Sequence, residues 1–201
     1  MPSKKFESNR FFLKDTIRKQ INFSQTSQSL GLPAPPVQKP CAKNVLKIDL
    51  PDGAKALMRL ARTPVGETIA SRESVREYKT KPMTVEELSA LLWATQGIRQ
   101  IISPETALRT VPSAGARHSF ETYLVVNRVE TLPAGLYRYL PVEGQLAQLK
   151  LEEQMGRKAA IACFGQGFIA TAAYDQEACD ELLGVDGDEE FTIYLVPVGK
   201  R

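Results

Sequence analysis

Ser71-Arg72-Glu73-Ser74-Val75-Arg76-Glu77-Tyr78 is the stretch on which the reading of this chain turns. Arg72, Ser74 and Arg76 fall at every second position. In an extended backbone all three side chains leave the same side. Two guanidinium forks and a hydroxyl then converge on one point. That is a receptor for a phosphate monoester, because arginine meets phosphate oxygens with paired charged hydrogen bonds. In a helix, Arg72 and Arg76 would instead be i,i+4 neighbours that repel unless an anion lies between them. A solvated surface strand, with Glu73 and Glu77 balancing the arginines, accounts for the same letters. The rest of the chain has to decide.

The composition sets bounds. The chain has 201 residues, 43% apolar and 24% charged, with a net charge of +3. This is ordinary for a soluble globular domain with a real core. The charge is too small to argue for nucleic acid as a partner. The three cysteines, Cys41, Cys163 and Cys179, are odd in number and lack C-x-x-C spacing. They read as reduced thiols in a cytoplasmic protein. His118 is the single histidine, which argues against a histidine-rich zinc site or a Ser-His-Asp triad. No metal site and no membrane partner are expected, since no run approaches the roughly 20 apolar residues of a membrane span. The N-terminus also lacks the apolar core of a signal peptide.

Residues 1–50 read as an extension. It comprises a basic segment with Phe6, Phe11 and Phe12, then a Ser-, Gln- and Pro-rich connector over Ser24–Pro40, then an edge strand over Val45–Leu50. One domain is expected over residues 51–201. Asp52 opens a helix with Leu57, Met58, Leu60 and Ala61 as its apolar face, and Pro64 closes it. A short helix over Val65–Ala70 delivers the chain to Arg72. Thr84 and Glu87 have capping-box spacing. Leu88, Leu91, Leu92 and Thr95 line the helix that follows, Trp93 anchors the core, and Gly97 is the C-cap. Ile98–Thr110 shows no regular pattern and leads into Pro112-Ser113-Ala114-Gly115, where small residues permit close backbone approach. Glu121–Val126 reads as a strand. Gly135–Tyr139 and Gln145–Leu149 alternate as the arms of a hairpin. Glu152–Phe164 reads as a helix with Met155, Ala159, Ala160 and Cys163 inward. Asp175 caps another helix that ends at Gly184. Asp186-Gly187-Asp188 reads as a polar turn, and Phe191–Val198 as a closing strand. His118 is read as structural.

Three pieces now stand in order: Ser71–Arg76, Pro112-Ser113-Ala114-Gly115-Ala116-Arg117-His118, and Tyr194-Leu195-Val196-Pro197-Val198-Gly199-Lys200. With Tyr174–Gly187 they resemble the nitroreductase family of flavin mononucleotide (FMN) enzymes, over roughly Ala54–Lys200. The branch they most resemble is that of the peptide dehydrogenases that oxidise thiazoline and oxazoline rings. The resemblance implies an α+β fold, with a mostly antiparallel sheet flanked by helices, and a homodimer. It implies FMN as cofactor, NADH or NADPH as reductant, and ping-pong hydride transfer through the flavin to a small acceptor such as a nitroaromatic or quinone. Arg72, Ser74 and Arg76 would hold the phosphate and ribityl chain, with Lys200 as a further phosphate contact. Pro112, Ser113, Ala114 and Gly115 would line the flavin from the partner subunit. Ala172 and Ala173 match the loop whose amides approach the ring, where donors stabilise charge on reduced flavin. Because the flavin carries the hydride, no catalytic side chain is implied.

The chain departs from the family near residues 165–170. Relatives carry a further strand and a long helix there, and this chain passes directly from Gly165-Gln166 to Ile169-Ala170. The azoline-oxidising branch places a catalytic Lys-Tyr pair in that segment, so azoline oxidation is not expected. The surface left by such a shortening would need cover from the N-terminal extension or a partner chain. A silent flavin- or phosphate-binding remnant is the alternative reading, as is an interaction module that uses the basic N-terminus.

Overall fold

The computed structural model describes residues 11, 14–75, 77–164 and 174–200, with Phe164 as backbone alone. Two units separate at Pro36/Val37. The first holds 3-10 turns at Asp15–Gln20 and Phe23–Gln25. The second begins at Val37, earlier than the boundary after residue 50 that the composition suggests.

The reason is pairing. Strand β1, Lys47–Asp49, joins the main sheet antiparallel to β6. Among the described residues, five α-helices and five further strands follow. They are α1 (Gly53–Leu60), α2 (Val65–Ser71), α3 (Val85–Gln96), β2 (Ile98–Ser103), β3 (Thr106–Arg109), β4 (Tyr123–Val126), β5 (Gly135–Leu140), β6 (Gln145–Leu151), α4 (Met155–Phe164) and α5 (Gln176–Leu183). The four-stranded sheet has the order β1-β6-β5-β4 and is antiparallel at every step. The edge position expected for the first strand is therefore observed. All six residues of β5 are buried, because this central strand is covered on both faces.

On one face Tyr137, Tyr139 and Leu146 meet Leu88 and Leu92 of α3, with Val126 and Leu132 completing the cluster. Alternation along β5 sends Arg138 to the other face, where it is 4% exposed. There its guanidinium donates to the carbonyls of Lys39 and Pro40, at 3.2 and 2.9 Å. Arg109, at the end of β3, does the same for Val37 at 2.6 Å and also donates to Gln96 Oε1. Lys39 pairs with Glu190, and its amide donates to Glu121. The last residues of the connector, Val37–Pro40, expected to be loosely held, are thus held by two buried guanidiniums.

Helix starts follow local chemistry. Asp52, Thr84 and Asp175 each accept a hydrogen bond from the backbone N–H three residues on. Gly184 ends α5 in the left-handed conformation, φ +71°. Packing differs from expectation in α1. Met58 is 83% exposed and Leu60 is also exposed, and the helix buries Ala56 instead. It approaches α3 through Gly53. A Cβ there would lie 2.5 Å from Trp93 Cβ and 2.7 Å from the Ser89 carbonyl oxygen, so the smallest residue, not the apolar run, sets the contact. Leu91, expected to face inward, is exposed.

Three further differences stand out. Ile98–Arg109 is a hairpin, β2–β3, separate from the main sheet. Phe191–Val198, expected as a closing strand, forms no named strand among the described residues and makes only an isolated bridge at Leu195. Tyr174, Gln176 and Asp180 fix it instead by hydrogen bonds to Thr192. Finally, Cys163 and Cys179, expected as free thiols, form a disulfide with Cα atoms 5.5 Å apart, and Cys41 alone is free. The cause is tertiary: α4 and α5 pack together, and the Asp175 amide donates to the Cys163 carbonyl. The expected shortening at 165–170 lies outside the described residues.

Candidate functional site

Helix α2 stops at Ser71, and Arg72, its C-cap, already has extended dihedrals, φ −61° and ψ 125°. The helical alternative for the arginine stretch is thereby removed at its start. Arg72 and Ser74 are exposed, and no ion pair among the described residues engages Arg72. Arg76 lies outside the described residues, as do Ala172 and Ala173. The donor set that is present, an exposed guanidinium and a hydroxyl two residues apart, suits a phosphate.

The C-terminal tail comes to the same stretch. The Lys79 amide donates to the Lys200 carbonyl at 2.9 Å, and the Tyr78 hydroxyl donates to the Pro197 carbonyl at 3.2 Å. Gly199 lies on the Tyr78 ring, where a Cβ would come within 2.8 Å of a ring carbon. The tail and the arginine segment are therefore neighbours. The Lys200 ammonium, however, pairs with Glu87, the N3 residue of α3. Glu87 also accepts from the Thr84 amide at 2.9 Å and completes the capping box. Lys200 first, and the Thr84 N–H second, hold the Glu87 carboxyl below the usual carboxylate range. Neither Glu87 nor Tyr78 carries a local signal for this role, because the Glu87 pairing spans 113 residues.

Pro112, Ser113, Ala114 and Gly115 form a tight turn at the other end of α3. Thr110 ties that turn's start to α3, through its hydroxyl to the Trp93 carbonyl at 2.9 Å and its amide to the Gly97 carbonyl at 3.0 Å. Gly115, Ala116 and His118 all have positive φ, at 63°, 53° and 46°. For alanine and histidine this is an uncommon conformation that costs energy. The Ser113 hydroxyl accepts the His118 amide at 2.9 Å and helps to hold the turn. Burial, and then the neighbouring Arg109 charge, lower the His118 pKa, so its imidazole is neutral at physiological pH. The residues of α3 number 12, which at 1.5 Å each separates the two ends by about 18 Å. Among the described residues, no hydrogen bond or ion pair joins the turn to the tail.

Antiparallel sheet, flanking helices and an arginine segment next to a docked C-terminal tail define a nitroreductase-like fold. Residues 69–162 match the family model described as "Nitroreductase family". The chain is 34% identical over 129 residues to a Methanocaldococcus jannaschii protein named "Putative nitroreductase", covering 64% of this chain and 59% of that relative. The chain thus matches less than two thirds of the relative's length. Two solved structures bearing the same designation share the fold. The one from Ralstonia eutropha JMP134 superposes with a TM-score of 0.54 at 20% identity, over 81% of this chain and 95% of that one. The one from Anabaena variabilis ATCC 29413 also gives 0.54, at 19% identity, over 79% of this chain and 42% of that one.

Proposed function

We propose that this chain is an FMN-dependent oxidoreductase of the nitroreductase family. It would take hydride from NADH or NADPH and deliver it to a small acceptor such as a nitroaromatic or quinone. The observation that carries this reading is the extended, exposed Arg72–Ser74 segment, which lies in the family-matched region and runs on to Tyr78 and Lys79, where the C-terminal tail docks. Bound FMN would supply the hydride chemistry. The protein's part is binding and orientation. Arg72 and Ser74, with Arg76, would hold the phosphate. Lys200 would brace the segment through Glu87 instead of touching the phosphate itself. Pro112–Gly115 would face the ring, where the absence of bulky side chains lets backbone donors approach.

The cradle and the turn stand at opposite ends of an α3 about 18 Å long. This separation supports a site completed by two copies of the chain, each contributing one end. Met58, Val65 and Ile69, exposed at 83%, 75% and 71% on α1 and α2, supply apolar area for that contact.

The test is the visible spectrum of the full chain before and after loading with FMN and removal of the excess. Bound flavin that is bleached by NADH or NADPH, and that Arg72→Ala with Arg76→Ala abolishes, supports the assignment. A chain that cannot be loaded sinks it. Flavin that binds but is not reduced would make the protein a silent binder.

A further inference from the structure

Tyr78 stands where the arginine segment ends and the C-terminal tail lies against it. Its hydroxyl is within hydrogen-bond distance of two carbonyl oxygens, that of Val75 at 3.3 Å and that of Pro197 at 3.2 Å. The first belongs to the arginine segment, next to Ser74. The second belongs to the tail, 119 residues on. One phenolic proton is shared between them, so the hydroxyl joins the two backbones at a single point. The ring is held as well. A Cβ on Gly199 would come 2.8 Å from one of its carbons and 3.0 Å from the next, and the Lys79 amide beside it donates to the Lys200 carbonyl. Tyr78 is half-buried and stands outside the core cluster, so its ring serves this contact and does not fill the core. Among the described residues, no backbone-to-backbone hydrogen bond engages Ser74 or Val75. The extended segment has no sheet ladder there, and the Tyr78 hydroxyl takes the place of one.

We infer, resting on the FMN reading proposed above, that Tyr78 is a positioning residue for the phosphate cradle. It touches neither phosphate nor ring. Arg72 and Ser74 can meet one phosphate together only while the backbone between them stays extended, with alternate side chains on one side. A charged hydrogen bond from a guanidinium fork is sensitive to that geometry. Fixing the Val75 carbonyl before the ligand arrives removes part of the ordering cost of binding. The tail thereby becomes part of the site, because it holds the same hydroxyl from the far side.

The experiment measures the affinity of the full chain for FMN and for riboflavin, which lacks the phosphate, by flavin fluorescence. The thermal midpoint without flavin is recorded alongside. Tyr78→Phe keeps the ring and loses both hydrogen bonds. It is expected to weaken FMN by at least about tenfold, or about 1.4 kcal/mol, and to leave riboflavin unchanged. Gly199 does not have a positive φ, so Gly199→Ala acts through the ring it displaces. The same phosphate-selective loss is expected for it, and the double variant should lose no more than the larger single variant. Unchanged FMN affinity in Tyr78→Phe would overturn the positioning role. So would equal weakening of both flavins with a lowered midpoint, which is what a merely structural role gives. A parent chain that binds neither flavin would overturn the FMN reading itself, and the role of Tyr78 with it.

Discussion

The docking of the C-terminal tail rests on a pair that can be measured directly. Glu87 has two tasks: it caps α3 through the Thr84 amide, and it pairs with Lys200. Both partners are about a quarter exposed, at 28% and 24%, so solvent screening is partial. Glu87→Ala removes the reciprocal arm of the capping box, about 1 kcal/mol, and the ion pair, about 0.5–1 kcal/mol. Lys200→Ala removes the pair alone. With a urea m-value of about 2 kcal/mol per M, the first should lower the unfolding midpoint by about 0.8–1 M and the second by about 0.3–0.5 M. The double variant should lose less than the sum, by the coupling of about 0.5–1 kcal/mol. The coupling must also depend on pH. The Glu87 carboxyl is depressed in the folded chain. Its stabilisation is therefore fully present above the unfolded carboxylate value of about 4.3 and fades as pH falls through the lower folded value. Urea unfolding at pH 7 and pH 3 reads both effects. Strict additivity at pH 7, or a coupling that strengthens at pH 3, would refute the pairing.

Other outcomes follow from particular contacts. Gly53→Ala places a Cβ 2.5 Å from Trp93 Cβ, so it should destabilise by about 1–3 kcal/mol through overpacking and shift Trp93 emission. Asp180→Ala leaves the Thr192 amide and hydroxyl, now bonded at 2.6 and 2.7 Å, without their acceptor. A loss of about 1–3 kcal/mol is expected in thermal unfolding, and an unchanged midpoint would contradict the anchor. The Cys163–Cys179 bridge, with a sequence separation of 16, should contribute about 3 kcal/mol. Thiol titration of the unfolded chain should count one free cysteine before reduction and three after it.

The parts of this fold that were legible in the sequence are those decided within a few residues. The caps at Asp52, Thr84, Asp175 and Gly184 are local hydrogen-bond or φ requirements, and each stands where its residue type demands. The β5–β6 hairpin was legible for the same reason, as alternation on both arms. The β2–β3 hairpin was not, because Ile101 and Ile102 are consecutive and both exposed, so no period of two marks a buried face. The inward face of α1 was misread because a close helix contact selected Gly53 and Ala56 over larger apolar residues. In the candidate site, the arginine spacing and the small-residue turn were visible as motifs. The partner of Lys200 and the bridge between Cys163 and Cys179 were not, since both are made by packing between distant segments.

The buried arginines set a dissection limit. A guanidinium does not shed its proton in a protein. Arg109 and Arg138 remain charged at 5% and 4% exposure, and three of their acceptors are the main-chain carbonyls of Val37, Lys39 and Pro40. Cutting the chain after residue 50 would strand two cations inside the protein and also strip β1 from the sheet. Cutting after Pro36 would leave every one of those acceptors in place. A chain beginning at Val37 keeps these three carbonyls and β1, whereas one beginning at residue 51 keeps none of them.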